Sequence, residues 1–183
     1  MPVKNEATID DLYHVPENGK AEIVNGELRL MSPTGALPNR VAGEVYVSLR
    51  AHARRTRMGR AYTDNAAFIV SLPNRKSFSP DVACHIGRDT GGKFLEGAHI
   101  FAVEVRSEND YGPAFEREIA AKRRDYFAAG TLVVWDVDVL RSLVVNVYRA
   151  TDPDHPTVHR RGEIAEAEPA VPGWTMPVED LLS

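Results

Sequence analysis

Two carboxylates stand where carboxylates are costly. Asp81 follows Pro80 and opens the apolar stretch DVACHI, and Glu104 sits inside FAVEV. A charged side chain in an apolar strand needs a partner. If the two acids approach one another they repel and one pKa rises, unless a cation lies between them. A divalent metal with oxygen ligands meets that need. Mg²⁺ takes one or two carboxylates, waters and a substrate phosphate. It can then polarise a phosphoryl group and activate water.

Strand alternation adds neighbours to this pair. Glu104 and Arg106 share one face, and Val103 and Val105 the other. Arg106 is therefore within reach of Glu104, and the backbone carbonyl of Val105 is a further oxygen for a metal. Lys122 and Tyr126 stand four residues apart on the following segment, so a helix there puts them on one face. A lysine in that place leans over the strand ends, where it stabilises an anionic transition state or positions the attacking water. Each residue also has a plainer reading. Asp81 can start a strand or accept a turn hydrogen bond, Glu104 can pair structurally with Arg106, Lys122 can be solvated, and Tyr126 can be core. The six histidines show no metal-ligand spacing. No P-loop, dinucleotide-binding glycine pattern or nucleophile elbow is present.

These residues need elements to position them. EIVNGELRLM carries Asn-Gly between alternating apolar residues, a hairpin signal. The loop SPTGALPN follows. Val41, Val45, Leu49 and Ala53 recur at helical spacing over about 40–57, with Asn39 as the expected N-cap. AYTDNAAFIVSL, DVACHI and HIFAVEVR read as strands. Residues 114–129 read as a second helix closed by Gly130. TLVVWDVDV reads as a strand, with SLVVNVYR antiparallel to it. The proline-containing tail has weak strand signals around Val158, and Trp174 is expected to pack on the body. The expectation is an α/β (α+β) domain covering 1–183. Its core runs helix, three strands, helix, strand around a mixed sheet, with an N-terminal hairpin and C-terminal strands.

Composition sets outer limits. The 183 residues are 43% hydrophobic and 26% charged, which suits one globular core. The single cysteine, Cys84, excludes an intramolecular disulfide framework and a cysteine-rich zinc site. No apolar run reaches membrane length, and MPVKNEATID does not read as a signal peptide, so a cytoplasmic protein is expected. A net charge of −4 argues against a protein that coats nucleic acid non-specifically, but leaves room for a local basic groove. Basic residues do cluster at Arg50, Arg54, Arg55, Arg57 and Arg60, and again at Arg117, Lys122, Arg123 and Arg124. Two solvated helix faces are the plainer reading of both clusters.

SPDVA at 79–83, VEVRS at 103–107, KRRDYFAAG at 122–130 and the following VVWDVD resemble the Uma family of restriction-endonuclease-like proteins. That family belongs to the PD-(D/E)XK nuclease superfamily. AEIVNGELRLMSP is similar to its N-terminal hairpin segment. The resemblance implies a restriction-endonuclease-like fold and Mg²⁺-dependent cleavage of DNA phosphodiester bonds, with Mn²⁺ as a substitute. It puts Pro80-Asp81 at the PD motif and Glu104 at the acidic position of (D/E)XK. Arg106 stands where the superfamily has lysine, and Lys122 takes over that lysine from the next helix. Ser107 matches the family serine after the strand. Glu22 matches a recurrent glutamate that completes the acidic site, with Glu44 as a rival. The family often has histidine where Asn39 stands, and glutamate and tyrosine where Val133 and Val134 stand.

The expected site therefore comprises Asp81, Glu104, Lys122 and Glu22. Asp81, Glu104 and Val105 are the metal ligands, and Arg106, Ser107 and Tyr126 are substrate contacts. DNA is the expected partner, without an organic cofactor or a membrane, and a homodimer is the simplest way to cut both strands. The alternative is a nuclease fold that only binds nucleic acid or protein.

Overall fold

The computed structural model describes residues 6–16 and 19–183. The first half of MPVKNEATID therefore lies outside the described residues. A short helix α1 (Ile9–Tyr13) precedes the hairpin β1 (Ala21–Val24) and β2 (Glu27–Leu30). The long helix α2 (Ala36–Thr56) leads to β3 (Arg60–Thr63), β4 (Phe68–Ile69), β5 (Ser77–Phe78), β6 (Val82–His85), β7 (Leu95–Glu96) and β8 (Phe101–Val105). Helix α3 (Pro113–Ala129) connects to β9 (Val133–Asp138), β10 (Val144–Arg149) and β11 (Asp152–Arg160). The chain closes with β12 (Ile164–Glu166), β13 (Thr175–Pro177) and a 3-10 helix, Val178–Leu182.

Six strands form the main sheet in the order β11, β10, β9, β8, β6, β3. The central pair β8 and β9 is parallel, and every other pairing in it is antiparallel. A parallel pair needs a long crossover, and α3 supplies it. The expected order of helix, three strands, helix, strand is present as α2, β3, β6, β8, α3 and β9. The hairpin forms where expected: Asn25 and Gly26 both take positive φ, 52° and 73°, as a two-residue hairpin turn requires.

Alternation sorts the strands between two cores. Phe101, Val103 and Val105 of β8 and Val133, Trp135 and Val137 of β9 face Val41, Val45 and Leu49 of α2. The C-terminal segment completes that layer. Trp174 stacks on Trp135 with ring centroids 4.9 Å apart, as its expected packing requires. On the opposite face Ala83, Ala102 and Val134 meet Tyr126 of α3 and Phe68 and Phe78 of β4 and β5. The second face holds the cleft described below.

Three local expectations change. AYTDNAAFIVSL is not one strand. Asn65 adopts φ +66°, and the chain leaves the main sheet there and re-forms as β4 in a small sheet with β5 and β7. Asn39 lies within α2, whose N-cap is Gly35. Pro38 occupies the first turn, where a missing N–H costs nothing. Finally, the second basic cluster is not a uniform solvated face. Arg123 is buried with its guanidinium carbon 3.6 Å from the Tyr148 ring centroid, while Lys122 points into the cleft.

Candidate active site

A cavity of about 580 Å³ opens on the α3 face of the sheet, between the hairpin and the N-terminal half of α3. Lys20, Glu22, Asp81, Glu104, Val105 and Lys122 all line it. The two acids singled out from sequence thus share one cavity. Asp81 is the residue before β6, and Glu104 is the fourth of five in β8. Since Asp81 N–H donates to Val103 C=O, the two strands hold their acids on the same side of the sheet.

The Asp81 carboxylate is fixed at both oxygens. Oδ2 accepts from the Val105 N–H at 2.8 Å, and Oδ1 pairs with Lys20 Nζ at 3.1 Å. Glu104 Oε1 pairs with Lys122 Nζ at 2.9 Å and accepts the Tyr126 hydroxyl hydrogen bond. Lys122 Nζ reaches back to Glu22 Oε1 at 3.1 Å, so one ammonium bridges two carboxylates. Glu22 is itself the most enclosed of these acids. It accepts from the Ser79 N–H at 2.8 Å and from Arg75 Nη1 at 2.6 Å. Arg75 continues to Asp125 at 2.9 Å, and Lys20 to Asp64 at 2.5 Å.

Burial and these pairs set the protonation of each group. Burial pushes the Glu104 carboxyl up, and neighbouring Asp81 and Glu22 add to the rise that Lys122 opposes. Burial also works against the ammonium of Lys122, but Glu104 and Glu22 outweigh it and hold the group protonated. Lys20 is raised in the same way, by Asp81 and Glu104 against burial. Glu22 goes the other way: burial is overcome by Lys122, Arg75 and the Ser79 N–H, and its carboxyl sits below the usual range. Burial raises the Tyr126 phenol, so it stays a donor. Behind it His99 is enclosed by Phe68, Phe78 and Tyr126, and burial pushes its pKa down to about 3.

Glu22 therefore carries a pH-dependent share of stability. A depressed carboxyl stabilises the fold above its unfolded pKa, near 4.5, and that contribution is lost as pH falls through the folded value. Glu22→Gln should lower stability at pH 7 by about 1.5 kcal/mol, the scale of a charged hydrogen bond. Urea unfolding of both proteins from pH 7 to pH 3 checks this, because the difference should shrink below pH 4.5. A constant difference would assign the loss to packing.

Ionised, the linked acids Glu22, Asp64, Asp81, Glu104 and Asp125 number five, against the three cations Lys20, Arg75 and Lys122. Asp64 and Asp125 lie outside the cavity lining, where three of these acids meet the three cations. Among the described residues no three His, Cys, Asp or Glu side chains gather as a metal cluster. The donor set is two hard carboxylates lining an open cavity, which suits Mg²⁺ and not a closed zinc site. Asp81 and Glu104 fit such an ion.

The remaining expected residues divide. Glu22 is in the cluster. Glu44 belongs to α2, across the sheet, and is not part of the lining. Ser107 lines the cavity, with its N–H and hydroxyl both donating to Asp110 at 2.7 Å. Tyr126 is completely buried and turned to Glu104, so it is a support for that acid and not a substrate contact. Arg106 lines the cavity as expected of a substrate contact, but it also has structural partners. Its Nε and Nη2 each lie 2.7 Å from an oxygen of buried Asp136, and Nη1 and Nη2 hold Glu116. Asp136 faces Glu104 in the parallel register, so the partner of Arg106 comes from the neighbouring strand. The sequence alone does not point to Lys20 or Arg75. Their partners lie more than 40 residues away, and no local spacing reveals them.

Among the described residues no helix is long and apolar enough to cross a membrane. No curated protein matches the chain. Over 96% of its length the chain superposes on 97% of a protein from Anabaena variabilis ATCC 29413, with a TM-score of 0.76 and 17% identity. That crystal structure is described as "a putative nuclease belonging to DUF820". At this identity the likeness concerns the fold. The sequence model of the Uma2 family, described as "Putative restriction endonuclease", matches residues 8–179. With nearly the whole chain inside that match, and with its acids and lysine gathered in one cleft, the protein belongs to the Uma2 family.

Proposed function

We propose that this protein is a metal-dependent endonuclease that hydrolyses DNA phosphodiester bonds. The observation that carries the reading is the convergence of Asp81, Glu104 and protonated Lys122 in one cavity. Asp81 and Glu104, with the Val105 carbonyl, are the residues that would hold Mg²⁺ or Mn²⁺. When bound, such an ion polarises a phosphoryl oxygen and makes a water acidic enough to attack.

The chain's own groups do the rest. The Val105 N–H fixes the orientation of Asp81, and the Tyr126 hydroxyl fixes Glu104. Lys122 keeps a positive charge beside the position where the pentacovalent phosphate gathers negative charge. Glu22 and Arg75 hold Lys122 and its surroundings in place through buried ion pairs. Cleavage of both duplex strands calls for a homodimer with sites related by a two-fold axis.

The test is nicking of supercoiled plasmid with Mg²⁺ or Mn²⁺ and with EDTA. Lys122→Met should slow nicking by about a hundredfold, the scale of one transition-state charge contact. Wild-type rates in Lys122→Met would remove the lysine from the mechanism. A second reading has one observation in its favour: both lysines already neutralise the acids, as a nucleic-acid-binding module without cleavage would allow. Calorimetry separates the two, since the module should show no Mn²⁺ site dependent on Asp81.

A further inference from the structure

Lys20 stands one residue before β1, and its side chain is 15% exposed at the wall of the same cavity. Its ammonium lies 3.1 Å from Asp81 Oδ1 and 2.5 Å from Asp64 Oδ1. Among the described residues these two contacts engage two of its three N–H groups, which leaves one for an oxygen in the cavity. Among the described residues the other cations lining the cleft have carboxylate partners too, Arg29 on the exposed Glu118 of α3. Arg106 is locked between Asp136 and Glu116, Arg75 between Glu22 and Asp125, and Lys122 is shared by Glu22 and Glu104. Among the described residues Lys20 is the cation paired with Asp81.

We propose that Lys20 is a second catalytic cation, which contacts the substrate phosphate from the Asp81 side of the cleft, opposite Lys122. This rests on the endonuclease reading above. Lys20 then has two tasks. Before loading it neutralises Asp81, and with substrate present it binds a phosphoryl oxygen and adds charge stabilisation to that of Lys122. The two tasks predict opposite effects of removing it. A divalent ion no longer competes with the ammonium for Asp81, so metal affinity rises, yet the phosphate loses a contact, so cleavage slows. A strap that merely ties the hairpin to the turn at Asp64 has no such signature. That outer pair is 37% exposed at Asp64, and pairs of that kind hold little energy.

The experiment measures Mn²⁺ binding by calorimetry and single-turnover nicking of plasmid at saturating Mn²⁺. The proteins are wild type, Lys20→Met, Lys20→Arg, Asp64→Asn and Asp81→Asn. Lys20→Met should bind Mn²⁺ about three- to tenfold more tightly and nick about a hundredfold more slowly. Lys20→Arg should return Mn²⁺ affinity to near wild type and recover part of the rate. Asp64→Asn, which cuts the strap but keeps Lys20 on Asp81, should match wild type in both measurements. If Lys20→Met does not fold, Lys20→Gln carries the same expectations. The proposal is overturned if the Lys20 variant nicks at the wild-type rate, or if it and Asp64→Asn behave alike. Wild-type protein that neither binds Mn²⁺ through Asp81 nor nicks DNA would overturn the endonuclease reading itself, and this proposal with it.

Discussion

Glu104→Gln should lower single-turnover nicking by about a thousandfold, equivalent to roughly 4 kcal/mol of transition-state stabilisation. The same substitution should leave the melting temperature unchanged or raise it. The two halves of that result have one origin. Burial and the neighbouring carboxylates disfavour the charged form of Glu104, so the ionised acid is held at a cost to the fold. Glutamine has the same shape and keeps an oxygen to accept from Tyr126 and Lys122, but it does not carry the charge that binds a metal. Activity is lost while stability is kept, the pattern of a group retained for chemistry. Asp81→Asn should be equally inactive. Plasmid nicking alongside thermal unfolding checks both. A Glu104→Gln protein that nicks normally would remove the acid from the site, and one that melts far earlier would make it a structural group.

Asp136→Ala should have the reverse profile, a large loss of stability. The Asp136 side chain is 2% exposed and that of Arg106 12%, and two 2.7 Å hydrogen bonds join them. Removing one member of a buried pair leaves the other charged and desolvated, which costs about 3–5 kcal/mol. Glu116 stays beside Arg106 but is half-exposed, so it offsets only part of the loss. The lower end, about 3 kcal/mol, corresponds to a drop of roughly 6–12 °C in a chain of this size. Replacing both partners by apolar residues, as Arg106→Met with Asp136→Leu, should recover most of the loss, because no charge is then stranded. Scanning calorimetry of the single and double variants decides it. A negligible change in Asp136→Ala would restore Arg106 as a free group able to reach substrate.

Those two residues show where sequence legibility stops. The hairpin at Asn25-Gly26, both long helices and the four strands around the parallel pair were readable because turn chemistry and periodicity are local. Alternation put Glu104 and Arg106 on one face, but whether they pair depends on what the next strand brings. The parallel register sets Asp136 opposite Glu104, and Asp136 outcompetes Glu104 for the guanidinium. Likewise the run AYTDNAAFIVSL hid a break, since Asn65 is among the few non-glycine residues that tolerate positive φ. Of the site, Asp81, Glu104 and Lys122 could be named from motif and burial cost. Lys20 could not, because a lone lysine before a hairpin has no signal until the chain brings Asp64 and Asp81 to it.

The chain has two tryptophans, Trp135 and Trp174, and they are the stacked pair beneath the C-terminal segment. Intrinsic fluorescence and the near-ultraviolet dichroism of coupled indoles will therefore report one junction, the docking of the tail on the sheet. The cleft lies on the other side and contains neither chromophore. A titration with oligonucleotide followed by indole emission should thus be silent even when binding is complete, and a label near the hairpin is needed to see it.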